Sequence, residues 1–278
     1  MGTPKVAIIG LGQIGGSFAA ALTKRGLARV VGVTRRAETA RRALEMGILA
    51  ESGTDLDAIR TADVVVLATP VRTLLRQIPE VARLVPRGAL LTDVGSTKTE
   101  IMAALRAARP KSPVLGGHPM AGNERAGLDG VDVHLFENRP WVLVSSIHHL
   151  PGTSPAFTGF ERLVQGVGAR PLWMKSPQDH DLKVARVSHI PYLLSYALMG
   201  TPPDSVRVCG NSFRDATRVA ASDPDMVLDF LLTNRGPIRR SARELSRRLE
   251  ALLRSIDRGD AAGLRKALAR ARGLRGRI

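Results

Sequence analysis

The sequence predicts a doubly wound α/β domain over residues 1–174 joined to an all-helical domain over 175–278. Three observations predict it. Short apolar runs alternate with helical stretches through the first 174 residues, a glycine-rich turn follows the first run, and strand signals fade beyond Ser176 while helical periodicity continues.

KVAIIG at 5–10 is the first strand, and 14–24, just after the glycine turn, reads as a helix. ARVVGVT at 28–34 is the second strand, followed by a helix over 38–47 that Gly47 closes. ADVVVLATP at 62–70 is a third strand ended by proline; 72–84 is a helix, 88–95 a strand and 97–108 a helix. SPVLGGHP at 112–119 and RPWVLVSS at 139–146 add two strands. HHLPGTSP at 148–155 is a loop by its Pro, Gly and Ser content, 156–166 a helix and ARPLWM at 169–174 a last strand. Strands apolar along their whole length need cover on both faces, which argues for a parallel sheet between helical layers. Beyond the boundary near 175, helices are expected at 178–199, 222–233 and 236–256, with a short one at 260–271.

With 278 residues, 44% hydrophobic and 24% charged, the chain can bury two cores and does not have the composition of a disordered protein. Its single cysteine, Cys209, excludes an intramolecular disulfide and a multi-cysteine zinc site, and no metal site is expected. No run approaches the roughly 18 apolar residues of a membrane span. MGTPKVAIIG runs directly into the first strand without a leader, so the expected location is cytoplasmic.

The net charge of +16 is uneven: from Arg235 onward 14 basic residues face 4 acidic ones. A basic tail suits nucleic acid, but this one has no aromatic residues to stack on bases. Arginine outnumbers lysine 34 to 7 throughout, which fits a coding bias as well as a binding surface. Ile238, Ala242, Leu245, Leu249, Leu252 and Ile256 instead repeat at spacings of 4 and 3, an apolar seam on one helix face. The expected partner is therefore a second copy of the chain, joined through the helical domain, rather than nucleic acid or membrane.

GLGQIG at 10–15 matches G-x-G-x-x-G between a strand and a helix. Gly10 permits the turn, Gly12 lets the backbone approach a pyrophosphate, and Gly15 lets the helix pack on the strand. This makes the first domain a Rossmann-type dinucleotide-binding domain. Leu11, Gln13 and Ile14 within the motif and Thr69 after the third strand complete the expected contacts. The second strand ends in Thr34-Arg35-Arg36, with no carboxylate before Glu38. A carboxylate there would bind ribose hydroxyls and repel a 2′-phosphate, whereas an arginine fork binds that phosphate. The expected cofactor is NADP, with NAD possible, Arg35 as the main phosphate ligand and Thr34, Arg36 and Thr39 beside it.

Two more segments fall at carboxyl ends of strands, where this fold binds ligands. DVGSTK at 93–98 puts Ser96 in a strand-to-helix turn, where it can cap the helix and contact a ligand. GGHPMAGNERAG at 116–127 puts His118 in a glycine-rich loop beside the cofactor turn. Here the chain resembles a known family, the prephenate and arogenate dehydrogenases of tyrosine biosynthesis. The resemblance runs through GLGQIGGS at 10–17, DVGSTK at 93–98, HPMAG at 118–122, DHD at 179–181, SHIP at 188–191 and FRDATRVAASDP at 213–224.

The resemblance implies an oxidative decarboxylation. Hydride leaves C4 of a hydroxycyclohexadiene ring, the 4-hydroxyl loses its proton and the ring carboxylate leaves as carbon dioxide. It implies that His118 is the base, that Ser96 bonds the same hydroxyl or the nicotinamide side, and that Arg218 binds a substrate carboxylate. It gives His189 a supporting role. Many prephenate-using members carry a second histidine where this chain has Tyr192, and an aromatic residue where it has Val227. With the arginines at 35 and 36, this points to arogenate as substrate and to prephenate as the alternative. Other dehydrogenases with a helical second domain, such as β-hydroxyacid dehydrogenases and pyrroline-carboxylate reductases, lack the DVGSTK and HPMAG pair.

Overall fold

The structure is a computed structural model, and it describes residues 2–123, 125–145 and 154–277. An eight-stranded sheet carries the first domain. Its strands are β1 (Lys5–Ile9), β2 (Arg29–Val33), β3 (Glu51–Gly53), β4 (Val64–Leu67), β5 (Leu90–Asp93), β6 (Val114–Pro119), β7 (Pro140–Ser145) and β8 (Arg170–Met174). They lie in the order β3-β2-β1-β4-β5-β6-β7-β8. The sheet reverses direction from β1, running outward through β2 on one side and β4 on the other; that switch point opens a crevice at the strands' carboxyl ends.

Strand alternation assigns the side chains to two cores. Val6, Ile8, Val64 and Val66 point to one face, where Phe18, Trp141 and Phe160 form an aromatic cluster, with the Phe18 and Trp141 rings 4.9 Å apart. Ala7, Ile9, Val65 and Leu67 point to the other. The first face is covered by α1 (Gln13–Lys24) and α5 (Pro155–Gly166), the second by α3 (Val71–Leu84) and α4 (Thr99–Ala108). The helix α2 (Ala37–Glu45) follows β2.

The sheet is not wholly parallel: β7 runs antiparallel to β6, with His118 opposite Val142. The described residues of 120–139 contain no crossover helix, only turns and a 3₁₀ segment at Gly127–Gly130, so the chain re-enters the sheet at the end where it left. β3 was not legible because its three residues, Glu51-Ser52-Gly53, carry no apolar pattern. The loop expected at 148–155 lies, for 148–153, outside the described residues, as does Ser146 at the end of the strand expected over 139–146.

The second domain comprises α6 (Pro177–Val184), α7 (Ile190–Leu198), α8 (Pro203–Val206), α9 (Asn211–Thr217), α10 (Pro224–Thr233), α11 (Arg235–Asp257) and α12 (Ala261–Arg275). The single helix expected at 178–199 is interrupted by a π-type turn at Ala185–His189. Pro191 explains it: without an N–H, it cannot close the regular i→i−4 bond, and the ladder widens before it. A small core of Ala185, Ile190, Val227, Phe230 and Ile238 joins α7, α10 and α11.

Two helices of the first domain are capped from the second. The α4 start has no side-chain cap of its own; Asp181 of α6 accepts from the Lys98 amide at 2.7 Å and the Thr99 amide at 2.8 Å. Asp229 of α10 accepts from the Arg72 amide at 3.3 Å and pairs with its guanidinium, at the start of α3. Helix N-termini carry partial positive charge and unpaired amides, so these carboxylates fix the helical domain against the mouth of the crevice.

Candidate active site

The dinucleotide cleft is a cavity of about 650 Å³ lined by Gly10, Leu11, Gly12, Thr34, Arg35, Arg36, Thr39 and Thr69, together with Glu38, Arg42, Thr73, Gln77 and Asp129. Its glycines fit a dinucleotide. Gly10 has φ +103°, and a Cβ there would lie 2.8 Å from the Ala68 backbone; a Cβ on Gly15 would collide with the Gly10 carbonyl. A Cβ on Gly12 would meet nothing within 4 Å, which leaves room for a phosphate at the start of α1.

The remaining motif residues act through their side chains. Ile14 packs against the core. The Gln13 amide donates to the carbonyls of Asn123 at 3.0 Å and Arg125 at 2.8 Å, tying the loop after β6 to the start of α1. Thr69 donates to Gln77 Oε1 at 2.7 Å. Across the cleft, Arg42 of α2 pairs with Asp129 at 2.5 Å. The sequence had not singled out Arg42; it lies one helical turn beyond Glu38, on the same side of α2.

At the other end of the crevice, β6 and α6 bring three titratable side chains into line. His118 Nδ1 lies 2.9 Å from His180 Nε2, and His180 Nδ1 lies 2.7 Å from Asp181 Oδ1. All three are buried, His118 retaining 9% exposure. Beneath them Lys98 and Asp93 form an ion pair with no exposure at all. Asp93 also accepts from the amides of Gly95 at 2.9 Å and Gly117 at 3.3 Å. Asn234, at the start of α11, donates to the Asp181 carbonyl at 2.9 Å and lies 3.0 Å from His189 Nδ1. His189 stacks on Phe230 with ring centroids 4.3 Å apart, and Tyr192 packs edge-on against the other ring at 5.3 Å.

Burial first, and then the proximity of His180, Lys98 and His189, holds His118 well below the usual histidine range. His180 is lowered chiefly by burial, against the pull of Asp181. Burial alone would raise the Asp181 carboxyl. Its hydrogen bonds from His180, Thr99 and the Lys98 amide win, and it stays ionised. Burial pushes His189 down to about 4.

These shifts have a consequence for folding. Each imidazole is neutral in the folded protein, whereas unfolding releases it to titrate near 6.5. The depressed folded value means that stability is complete above pH 6.5 and declines as pH falls toward 4, where the unfolded chain binds protons that the folded one refuses. Urea midpoints measured at about pH 7 and pH 4.5 should differ, with the lower pH less stable; equal midpoints would contradict the burial of neutral histidines.

The predicted site residues do not all converge. His118, His189 and Tyr192 lie in or against one cluster, which also contains His180, Asp181 and Asn234. The sequence contains these last three in plain view, with 180 and 181 inside DHD, but nothing in the spacing told that they pack behind His118. Ser96 is half-buried in the turn after β5, yet it does not cap α4, which begins at Thr99 and takes its cap from Asp181. Arg218 opens a 3₁₀ turn, Arg218–Ala221, which packs on α7. Val227 is buried in the helical core.

A family model described as prephenate dehydrogenase, nucleotide-binding domain, matches residues 18–172, and one described as prephenate dehydrogenase, dimerization domain, matches 176–270. A cyclohexadienyl dehydrogenase of Zymomonas mobilis is 33% identical over 244 residues, covering 82% of this chain and 80% of its own. A prephenate dehydrogenase from A. aeolicus, solved with hydroxyphenyl propionate and NAD+, aligns with a TM-score of 0.90 at 28% identity, covering 100% of this chain and 99% of that one. An arogenate dehydrogenase from Synechocystis aligns at 0.82 with 29% identity, covering 98% and 99%. The chain belongs to the prephenate and arogenate dehydrogenase family and is an NAD(P)-dependent oxidoreductase.

Proposed function

We propose that the chain oxidises and decarboxylates arogenate to tyrosine with NADP, and that His118 accepts the proton. The observation that carries this reading is His118 itself: neutral, buried, held from behind through Nδ1, and at the carboxyl end of a strand beside the dinucleotide cleft. A base that stays unprotonated near neutral pH is what loss of a hydroxyl proton requires. Bound nicotinamide supplies the hydride acceptor. The 4-hydroxyl proton passes to His118 as hydride leaves C4. The bond to the ring carboxylate then breaks, its electrons pass through the ring to the oxygen, which takes the proton back from His118 to give the phenol, and carbon dioxide departs. Ser96 donates to the same hydroxyl oxygen, and Arg218 supplies the guanidinium for a substrate carboxylate. His189 and Tyr192 border the substrate.

Arogenate is favoured over prephenate by the side chain at 192. The two substrates differ only in bearing an ammonium or a ketone. Tyr192 offers a neutral hydroxyl, 3.5 Å from Ser222 Oγ, where a cationic imidazole would repel an ammonium. Prephenate with NAD or NADP is the second reading, favoured by the relatives that bear that name. The test is catalytic efficiency with each substrate paired with each cofactor. Arogenate with NADP should lead, and a clear excess for prephenate would reject the substrate.

NADP is favoured by Arg35 and Arg36 at the cleft rim, with Thr34 and Thr39 beside them. Arg35→Ala should raise KM for NADP by about 10- to 100-fold, the scale of a lost hydrogen bond to a charged group, with little change for NAD. Equal changes for both cofactors would place Arg35 away from the 2′-phosphate.

The proposed assembly is a homodimer through the helical domain. On α11, Ile238 is buried within the protomer, but Leu249 and Ile256 at the far end of the seam are 56% and 59% exposed. Light scattering should report about twice 29.8 kDa; a species at that single mass would contradict it.

A further inference from the structure

Asp181 reaches His118 through His180 on its carboxylate side and His189 through Asn234 on its carbonyl side. We propose that it is a positioning residue that sets their tautomers in opposite senses: His118 carries its proton on Nδ1 and leaves Nε2 as the acceptor, while His189 carries its proton on Nε2. This deepens the reading of His118 as the base and rests on it.

The assignment follows from donors and acceptors. An ionised carboxylate only accepts, so His180 Nδ1, 2.7 Å from Asp181 Oδ1, must carry a proton. A neutral His180 then has a bare Nε2. His118 Nδ1, 2.9 Å away, must donate to it, so the proton of neutral His118 sits on Nδ1. His118 Nε2 is left as a lone pair, and it makes no hydrogen bond among the described residues. Free imidazole side chains favour the opposite tautomer, so the relay selects the minority form for the base.

The second branch runs through Asn234. The Asp181 carbonyl can only accept, so Nδ2 rather than Oδ1 of Asn234 must face it, at 2.9 Å. The other hydrogen of that amide points to His189 Nδ1 at 3.0 Å, so Nδ1 is the acceptor and the proton of His189 sits on Nε2. One residue thus prepares a proton acceptor and a proton donor.

The surrounding charges keep both rings neutral. His118 faces Lys98 from the turn before α4, His180 from α6 and His189 from the π-type turn. His180 faces Asp181, Lys98 and Asp93 of β5, and His189 faces Asp181 and His180. Among the described residues, the carboxylates beside these rings are Asp93, paired with Lys98, and Asp181, already sharing its oxygens among His180 and two backbone amides. A full positive charge on His118 would meet the buried ammonium without a free counter-ion.

The experiment is nitrogen NMR of the full chain labelled with 15N-histidine at about pH 7, with long-range proton correlation. The six histidines are assigned from single variants. His118 and His180 should show a protonated Nδ1 and a bare Nε2, and His189 the reverse. A His118 proton on Nε2, or an imidazolium at that pH, would overturn the proposal. Two variants add function. D181N can turn its amide toward His180 and reverse the relay; turnover should fall roughly 100- to 10,000-fold with KM changed less than about threefold, the pattern of a base locked in the wrong tautomer. H180Q can still donate to Asp181 and accept from His118, so it should retain at least about tenfold more turnover than H180L. Equal loss in both would reduce His180 to a packing role and reject the relay. If D181N fails to fold because α4 loses its cap, the spectrum of the unaltered chain still decides. If neither arogenate nor prephenate turns over, the assignment of the reaction falls, while the tautomers are read independently of any substrate.

Discussion

His118→Asn is expected to cut turnover by roughly 100- to 10,000-fold, the scale of a missing general base, while KM changes less than about threefold. Asparagine suits the test because its side-chain nitrogen can occupy the place of Nδ1 and still donate to His180 Nε2, which His118 meets at 2.9 Å. The relay and the buried packing survive, and only the acceptor at Nε2 disappears. In the unaltered chain, burial and the neighbouring Lys98 keep His118 neutral to well below pH 6.5. Turnover should therefore hold steady as pH falls from 7 to below 6, and drop only when His118 gains its proton. Near-normal turnover in the variant would assign the base elsewhere.

The second large effect is on stability. Lys98 and Asp93 are paired with no exposure, behind the carboxyl ends of β5 and β6. Lys98→Met keeps most of the volume but strands the Asp93 carboxylate, and breaking a buried pair from one side costs roughly 3–5 kcal/mol. Denaturant unfolding should show a loss of that size. Adding Asp93→Asn should recover part of it, because the amide removes the unpaired charge while its carbonyl still accepts from the Gly95 and Gly117 amides. A loss below about 1 kcal/mol in the single variant would mean that the pair contributes nothing net to folding.

These two effects come from the part of the molecule that the sequence disclosed unevenly. Strand alternation was legible because Val6 and Ile8 serve one core and Ala7 and Ile9 the other, a purely local pattern. The glycine turn was legible because the positive φ of Gly10 and the clearance Gly15 must leave for the Gly10 carbonyl both lie within six residues. His118 stood out through the glycines around it, although it lies within β6 rather than in the loop expected after that strand.

What escaped depends on contacts far apart in sequence. Asp181 caps α4 some 82 residues away, and no helix-start pattern around Thr99 foretells a cap delivered from another domain. The same contact displaces Ser96 from the capping position open to it on sequence grounds. The antiparallel turn of β7 depends on how residues 120–139 travel, which apolar periodicity does not encode. The π-type turn needed only Pro191, visible in SHIP, but its effect is to shift His189 toward Asn234, a partner 45 residues on.

One stoichiometry tests directly whether this chain couples hydride removal to loss of carbon dioxide. Arogenate labelled in the ring carboxylate is incubated with excess protein and a limiting amount of NADP, and reduced cofactor and labelled carbon dioxide are counted together. One carbon dioxide should be released for each NADPH formed, with tyrosine in the same amount. Reduced cofactor without carbon dioxide, or tyrosine formed at a rate that His118→Asn leaves unchanged, would contradict it.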